Sequence, residues 1–262
     1  MESVRIGQVT CDFAAKEEVY STTAQWLTSS GFHHIVTLNP EMVVLASRDA
    51  TFADAAANAD MRIPDGSGLF WARQYLSGDQ SLLPSLIRFS GKKAARVTGT
   101  DILLALVRQA TAAGKSTYLL GGTEQEAHTT ANVIKRAIAG ATVFTGPVHT
   151  FDIEGPHNVL ADIQQKSPGL LLVAYGAPKQ TVWIERHKGA LPSVRVAVGV
   201  GGAFAMLGGQ APRAPQSLRD HNIEWAWRLF LQPARLPRIW RAVISFPHLI
   251  YQQKRGKVGV DE

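Results

Sequence analysis

Short apolar runs alternate with segments of helical spacing along most of this sequence, and that alternation limits the folds it can adopt. The clearest runs are residues 116–120, 169–175 and 194–200, and residues 4–10 alternate as a further short strand. Between the runs, apolar residues recur at intervals of three and four, as on one face of a helix. We therefore predict an α/β fold of the Rossmann-like type, with a mostly parallel sheet and helices on both faces.

The composition is that of an ordinary folded protein with a basic bias. Hydrophobic residues make up 45% and charged residues 18% of the 262 residues, and the formal net charge is +6. Cys11 is the only cysteine, which excludes an intrachain disulfide and a cysteine-based metal cluster. We expect neither a signal peptide nor a transmembrane helix, because the sequence shows no pattern for either. A reducing, cytoplasmic compartment fits these features best.

The excess positive charge lies in a basic tail, residues 225–257. This tail contains seven basic and no acidic residues, whereas the rest of the chain has 20 basic and 21 acidic residues. Trp240, Phe246 and Tyr251 are interleaved with the bases, as in segments that lie at a membrane interface. The alternative is a last helix whose apolar residues pack on the core while its arginines remain solvated.

Two predicted strand ends in the first third of the chain carry polar residues. The run Ile35-Val-Thr-Leu-Asn39 ends one strand, and a second short run ends at Asp65. Parallel strands present their carboxyl ends to a ligand at one edge of the sheet. Asp65 is followed by Gly66, which permits a sharp turn. Asp65 can act there as a catalytic carboxylate, or it can cap the next helix, as Ser67 also can.

Three further strand ends are marked by glycine. They are Gly121-Gly122, Gly176-Ala-Pro178-Lys179-Gln180 and Gly199-Val-Gly201-Gly202. Small residues let a phosphate or diphosphate approach backbone N–H groups at the start of the next helix. The alternative is that the glycines only permit tight turns and that Lys179 and Gln180 are solvated. Neither the dinucleotide-binding glycine fingerprint nor the P-loop pattern occurs.

Arg96 and residues 77–93 are further candidates for ligand contact. Arg96 precedes a predicted helix start, where it can pair with an anionic ligand or with a surface carboxylate. Residues 77–93 indicate a loop or short amphipathic helix, which packs on the core or touches a membrane or an acceptor. The eight histidines show no metal-ligand spacing, and no Asp-x-Asp pair occurs, so we predict no metal.

In their order and spacing these motifs resemble the WecG/TagA/CpsF family of bacterial glycosyltransferases. The similarity runs from Val4 to about Arg241. The motifs that carry it are Thr37-Leu-Asn-Pro-Glu41, Ile63-Pro-Asp-Gly-Ser-Gly68, Arg96-Val-Thr-Gly-Thr-Asp101, Leu119-Leu-Gly-Gly122, Gly176-Ala-Pro-Lys-Gln180, Val198-Gly-Val-Gly-Gly202, Arg213-Ala-Pro215 and Glu224-Trp-Ala-Trp-Arg-Leu229.

The resemblance implies an inverting, metal-independent hexosyltransferase that uses no cofactor. Its donor would be a UDP-sugar carrying a hexose or an N-acetylhexosamine-type sugar. Its acceptor would be a sugar on a polyprenyl diphosphate, in the synthesis of a bacterial cell-surface polysaccharide or exopolysaccharide. The resemblance makes Asp65 the general base and places Thr37, Arg96 and Gln180 in the catalytic site. The expected substrate-binding residues are Asn39, Gly66, Gly121, Gly122, Gly176, Pro178, Lys179, Gly201, Gly202, Arg213, Arg219 and Arg228.

The resemblance also implies two parts of the chain with different tasks. Residues 1–212 would form the catalytic α/β domain, and residues 213–262 a membrane-docking appendage that supplies arginines to the site. We accordingly expect a peripheral protein on the inner face of the cell membrane, which binds an anionic membrane surface and no nucleic acid. The sequence leaves open whether the protein is a homo-oligomer.

Two departures from the family pattern leave the donor sugar open. Thr181 follows the Pro-Lys-Gln sequence, where the family commonly has an acidic residue, and Ala205 follows Phe204, where it commonly has aspartate. UDP-N-acetylmannosamine, its uronic acid and UDP-glucose all remain candidates, as do different acceptor glycans and linkages. The rival interpretation is a non-catalytic α/β protein that binds a nucleotide or a nucleic acid. A nicotinamide-dependent oxidoreductase is disfavoured by the missing glycine fingerprint.

Overall fold

A computed structural model describes residues 1–78, 99–147, 157–209, 227 and 236–256. Within these ranges it contains a six-stranded sheet, in which all paired strands are parallel, and a two-stranded antiparallel hairpin. The strands are β1 (Glu2–Ile6), β2 (Val9–Phe13), β3 (His33–Leu38), β4 (Met61–Pro64), β5 (Thr117–Gly121), β6 (Val143–Thr145), β7 (Leu170–Ala174) and β8 (Val196–Gly199). β1 and β2 form the hairpin, and the order in the sheet is β4-β3-β8-β7-β5-β6.

From β2 onward, helices lie between successive strands, and they cover both faces of the sheet. They are α1 (Lys16–Thr28), α2 (Pro40–Ala46), α3 (Ala50–Ala57), α4 (Ser67–Ser77), α5 (Gly99–Ala112), α6 (Glu124–Ala137), α7 (His157–Lys166), α8 (Lys179–His187) and α9 (Ala203–Leu207). The C-terminal helical segment, residues 236–256, contains α10 (Leu236–Trp240), a π-helical turn (Arg241–Ser245) and α11 (Phe246–Lys254). The predicted fold class, including a helical C-terminal part, is confirmed.

Three apolar clusters hold the layers together. On one face, α1, α5, α6 and α9 pack against the sheet. On the other face, α2, α3, α4, the hairpin and α11 form one cluster with β3, and α7 and α8 form another with β5 and β7. β7 and β8 are buried on both sides, which accounts for their uninterrupted apolar sequences.

The N-terminus forms two strands and not the single strand predicted over residues 4–10. Gly7 turns the chain between β1 and β2 with a φ of +62°, a conformation that glycine adopts without steric cost. The apolar positions shift by one residue across this turn, from Val4 and Ile6 to Val9 and Cys11, and the single-strand prediction overlooked that shift.

The hairpin covers the outer edge of β4, the strand that leads to Asp65. Asp12 is 1% exposed, accepts a hydrogen bond from the Arg62 backbone N–H over 2.8 Å, and lies 3.2 Å from the Arg62 guanidinium. The Cys11 thiol donates to the Arg62 carbonyl over 3.6 Å, and Ser3 donates to Asp12 over 2.6 Å. An edge strand exposes unpaired backbone groups, and these contacts satisfy them without a further strand. The hairpin thereby fixes the strand that carries Asp65.

Two predictions concern residues outside the described ranges. Residues 79–98 contain most of the predicted amphipathic stretch 77–93, and residues 210–226 contain the predicted domain boundary after residue 212. Both stay predictions. Within the described ranges, every helix is too short or too polar to cross a bilayer.

We expect Asp12→Ala to lower the free energy of unfolding by about 3–5 kcal/mol, because it leaves the partly buried Arg62 guanidinium without its carboxylate. Urea denaturation followed by circular dichroism measures this loss. Glu2→Ala is the matched control, since it breaks the exposed ion pair between Glu2 and Arg73 and should cost less than about 1 kcal/mol. Equal losses in the two variants would contradict the role of Asp12 as the anchor of the hairpin.

Candidate active site

The carboxyl ends of the strands bring the predicted site residues to one edge of the sheet. The β3–β4 and β7–β8 pairings align neighbouring ends, with Leu38 opposite Pro64 and Val173 opposite Gly199. Polar side chains lie after β3 and β4, and glycine-marked turns follow β5, β7 and β8. The residues at these positions are Asn39, Asp65, Gly66, Gly121, Gly122, Gly176, Gly201 and Gly202.

The chain connections diverge between β3 and β8, which are neighbours in the sheet. α2 follows β3 and packs in the layer of α3 and the C-terminal helical segment. α9 follows β8 and packs against α5 and α6 in the opposite layer. Two adjacent strands whose connections leave on opposite faces form a topological switch point, where open α/β sheets bind their ligands.

Thr37, Gln180 and Gly199 meet at this switch point. The Thr37 hydroxyl donates to the Gly199 carbonyl oxygen over 3.0 Å. Gln180 is 3% exposed, and its side-chain oxygen accepts from the Gly201 N–H over 3.0 Å. A Cβ atom on Gly199 would lie 2.5 Å from the Gln180 amide nitrogen, so glycine allows Gln180 to lie across the end of β8. Two predicted catalytic residues therefore belong to one hydrogen-bonded cluster.

Asp65 lies half-buried just beyond the end of β4, the strand next to β3. Its backbone N–H donates to the Leu38 carbonyl oxygen over 2.6 Å, which continues the contact between the two strands past their ends. Gly66 turns the chain with a φ of +91° and occupies the N-cap position of α4, without a side-chain cap hydrogen bond. Because neither Asp65 nor Ser67 holds the N-cap position, the helix-capping alternative is weakened.

Asn39 has a structural role at the same edge. Its side-chain oxygen accepts from the Met42 N–H over 3.0 Å and so caps α2. Pro40 begins this helix and packs against Gly68 of α4, where a Cβ atom would lie 2.5 Å from the proline ring. The helices that begin after Asn39 and after Asp65 are thus in direct contact.

The glycines of this edge fall into two groups. Gly121 has a φ of +88° and is confined by its neighbours, since a Cβ atom there would lie 2.9 Å from the Tyr175 ring. That geometry supports the tight-turn alternative at Gly121, and Gly122 belongs to the same group, with a φ of +72° and an added Cβ atom 3.1 Å from the Glu126 carboxylate. Gly176 and Gly201 have positive φ values, whereas Gly202 does not. At all three positions an added Cβ atom would have no neighbour within 4 Å among the residues that the structure describes. A ligand can therefore approach the backbone in front of Gly202.

The side chains around the β7 turn are mostly neutral. Burial raises the pKa of Tyr175 well above its ordinary value, so its hydroxyl stays protonated at neutral pH. The Tyr175 ring packs edge-on against Trp183, with the ring centroids 5.9 Å apart. Pro178 holds the N-cap position of α8, and Lys179 is exposed in its first turn. Lys179 therefore adds a positive charge to an edge that also carries the Asp65 carboxylate.

Four predicted cations lie outside the described residues, namely Arg96, Arg213, Arg219 and Arg228. Within the described ranges, no group of three or more His, Cys, Asp or Glu residues is placed to hold a metal ion. An open pocket with a volume of about 790 Å³ lies between β6 and α7, beside Asp162 and Lys166. None of the predicted site residues lines this pocket.

The sequence interpretation missed the side chains that tie this edge to the C-terminal helical segment. Glu41 follows Asn39 by two residues and contacts Arg241, and Phe246 packs beside Gly68. Glu41 belongs to the Thr37-Leu-Asn-Pro-Glu41 motif, but its partner is 200 residues away, so no local pattern indicates the contact.

Comparison with known proteins identifies the family. Residues 4–259 match the glycosyl transferase WecG/TagA/CpsF family. The chain is 27% identical over 217 residues to the N-acetylglucosaminyldiphosphoundecaprenol N-acetyl-beta-D-mannosaminyltransferase of Bacillus spizizenii strain W23, covering 82% of this chain and 76% of that enzyme. It is 26% identical over 221 residues to the protein of the same name from Staphylococcus aureus strain MRSA252, covering 84% and 80%. The motifs at the carboxyl edge lie within the matched residues, and the chain belongs to the WecG/TagA/CpsF family of glycosyltransferases.

Proposed function

We propose that this protein is an inverting glycosyltransferase that moves a sugar from a UDP-sugar to a sugar carried on a polyprenyl diphosphate. Its relatives are named as transferases of an N-acetyl-β-D-mannosaminyl group, with N-acetylglucosaminyldiphosphoundecaprenol as the acceptor. The observation that carries the proposal is the cluster of Thr37, Gln180 and Gly199 at the switch point, with Asp65 at the neighbouring strand end.

Asp65 is the group that we assign to proton removal. In an inverting transfer, the acceptor hydroxyl attacks the anomeric carbon on the face opposite to the departing UDP. The new C–O bond forms as the bond to the diphosphate breaks, and a carboxylate on the acceptor side takes the hydroxyl proton. Asp65 suits this role because its backbone is fixed on both sides, by the hydrogen bond to Leu38 and by the turn at Gly66.

The departing UDP gains negative charge, which hydrogen-bond donors and cations must stabilise. At the switch point, the open backbone of Gly202 and the cluster around Gln180 suit the diphosphate. Metal independence is part of this proposal, and cationic side chains take the place that a metal would have. The assigned cations are Arg96, Lys179, Arg213, Arg219 and Arg228.

UDP-N-acetylmannosamine is the donor that the relatives' names favour. Identities of 25–27% and the departures at Thr181 and Ala205 leave its uronic acid and UDP-glucose as alternatives. A UDP-glucose donor would fit the synthesis of an exopolysaccharide, whereas an N-acetylmannosamine donor would fit the synthesis of a cell-wall polymer. Measuring turnover with the three donors in parallel decides between them.

The C-terminal helical segment presents an exposed apolar stripe that we assign to membrane contact. Leu236, Trp240, Val243 and Ile244 are 36–59% exposed and follow one another at helical intervals. An apolar patch next to basic side chains suits a surface of anionic lipid. A peripheral position on the inner face of the cell membrane would bring the site to a lipid-linked acceptor.

We expect Asp65→Asn to lower kcat by about 10²–10⁴-fold, because the amide cannot take the proton of the acceptor hydroxyl. The donor KM should change little. The measurement is UDP release with the three UDP-sugars and a short-chain lipid-diphosphate N-acetylglucosamine acceptor. Asp54→Asn, which alters an exposed carboxylate on α3, should keep wild-type turnover.

Full turnover in Asp65→Asn would contradict the assignment of the base. Tight UDP binding by the wild type, without UDP release from any of the three donors, would instead favour the rival interpretation of a non-catalytic nucleotide-binding protein.

We expect Gly202→Ala to weaken UDP binding by about tenfold, equivalent to about 1.4 kcal/mol, without loss of stability. An added methyl group would meet no atom of the described part of the chain within 4 Å, but it would occupy the space from which a diphosphate approaches. Titration calorimetry with UDP measures the affinity. Gly189→Ala is the matched control, since Gly189 also borders open space but lies after α8, away from the carboxyl edge. Unchanged affinity in Gly202→Ala would remove this backbone from the donor site.

We expect Trp240→Ala to reduce binding to anionic vesicles by about tenfold, because the stripe loses its largest apolar side chain. Sedimentation with phosphatidylglycerol vesicles measures the bound fraction, and neutral phosphatidylcholine vesicles report the contribution of charge. Wild-type binding by Trp240→Ala would contradict the assignment of this stripe to membrane contact.

A further inference from the structure

The C-terminal helical segment packs directly on the helices that begin at the candidate site. Phe246 is 1% exposed, and its ring meets the Trp71 ring of α4 with the centroids 6.1 Å apart. At Gly68, which follows Asp65 by three residues, a Cβ atom would lie 2.5 Å from Pro40 and 3.6 Å from the Phe246 ring. The start of α2, the start of α4 and the C-terminal helical segment therefore meet at one point.

A partly buried ion pair lies beside this point. Arg241 donates from Nη2 to Glu41 Oε1 over 2.8 Å, and Arg238 Nε lies 3.8 Å from the same oxygen. The Glu41 side chain is 14% exposed and that of Arg241 is 27% exposed, so both are substantially shielded from water. Charge-assisted hydrogen bonds of this length are stronger than neutral ones, and partial burial reduces their screening by salt.

The other end of the segment is held at different places. The Gln253 side-chain oxygen accepts from the Gly7 N–H over 2.8 Å, and Lys254 donates to the Tyr75 carbonyl oxygen over 2.8 Å. These contacts join α11 to the hairpin and to the last turn of α4, away from the carboxyl edge of the sheet. Loss of the Glu41 contacts would thus loosen the segment at the site while its far end stays attached.

The π-helical turn begins at Arg241, the residue that reaches Glu41. Turns of this kind are rare and are found frequently at functional sites. The same turn contains Val243 and Ile244 of the exposed apolar stripe. One short stretch of chain therefore carries both the contact to α2 and part of the surface that we assign to the membrane.

We propose that Glu41 is a positioning residue, which holds the C-terminal helical segment at the rim of the active site through Arg241 and Arg238. The inference rests on the proposed function, in which cations from the preceding part of the chain act on the departing UDP. Arg228 lies eight residues before Leu236, so the position of the segment limits where Arg228 can reach. Glu41 acts on turnover through this segment and needs no contact with substrate.

Hydrogen–deuterium exchange tests the contact without any substrate. In Glu41→Gln and in Arg241→Gln, amides of residues 236–245 should exchange about tenfold faster, because the local opening no longer has to break the charge-assisted contact between Glu41 and Arg241. Amides of residues 250–254 should be less affected, since their anchors remain. The double variant should exchange no faster than Glu41→Gln alone, because that substitution already removes the Arg241 contact together with the longer contact to Arg238.

Turnover tests the consequence. Both variants should lose about tenfold in kcat per folded enzyme, with the KM for the UDP-sugar within about twofold of wild type. The reason is that the cations positioned by the segment stabilise the departing UDP, so their displacement slows the transfer step. Glu2→Gln is the matched control: it weakens the ion pair with Arg73 between the hairpin and α4, and it should leave kcat and the exchange of residues 236–245 unchanged.

The outcomes separate the two proposals. Unchanged exchange in both variants would overturn the positioning role, and so would faster exchange with an unchanged kcat. Should Glu41→Gln fail to fold, Arg241→Gln tests the same ion pair by changing its more exposed member. Failure of the wild type to release UDP would reject the proposed function, while the exchange result would still show whether Glu41 holds the segment.

Discussion

The pairing of β3 with β8 is the constraint on which the rest of the structure depends. β3 and β4 come from the first 78 residues, and β5 to β8 come from residues 117–199, so this pairing joins the two parts of the sheet. It also brings Thr37 to Gly199 and, through Gly199, to Gln180. The absence of a side chain at Gly199 is what allows a buried amide to lie across the strand end. The switch point and its polar cluster thus have a single structural origin.

The part of the edge that carries Asp65 is supported from two directions. The hairpin covers the outer edge of β4 with Asp12 and Cys11, which satisfy the backbone groups of Arg62. The C-terminal helical segment supports α2 and α4, with Phe246 against Gly68 and with Arg241 against Glu41. β4 has only four residues and one sheet neighbour, so a carboxylate at its end depends on such external support.

Local patterns predicted much of the fold and the placement of the site at one sheet edge. A helix after the glycine-marked turn at Gly176 was predictable, because a buried apolar strand precedes that turn and the segments between strands have helical spacing. The hairpin was not predicted, because the turn at Gly7 shifts the alternation by only one residue within a short stretch. The cap that Asn39 forms on α2 is a local feature, because asparagine before a proline at the first helical position is a common N-cap pattern. The sequence could not show that Gly121 is confined by Tyr175, since that depends on neighbours in space. The Glu41–Arg241 contact lies beyond any local pattern for the same reason.

The cluster that covers one face of β3 has a consequence for biosynthesis. It contains Ile6 from the hairpin and Val43 from α2, but also Phe246 and Ile250 from the last helix. Domains generally fold as units, the N-terminal parts emerging first during translation. This cluster cannot close until α11 has left the ribosome, so its apolar surface stays uncovered in the nascent chain. A truncated or stalled product would therefore expose that surface and be a ready target for chaperones and proteases.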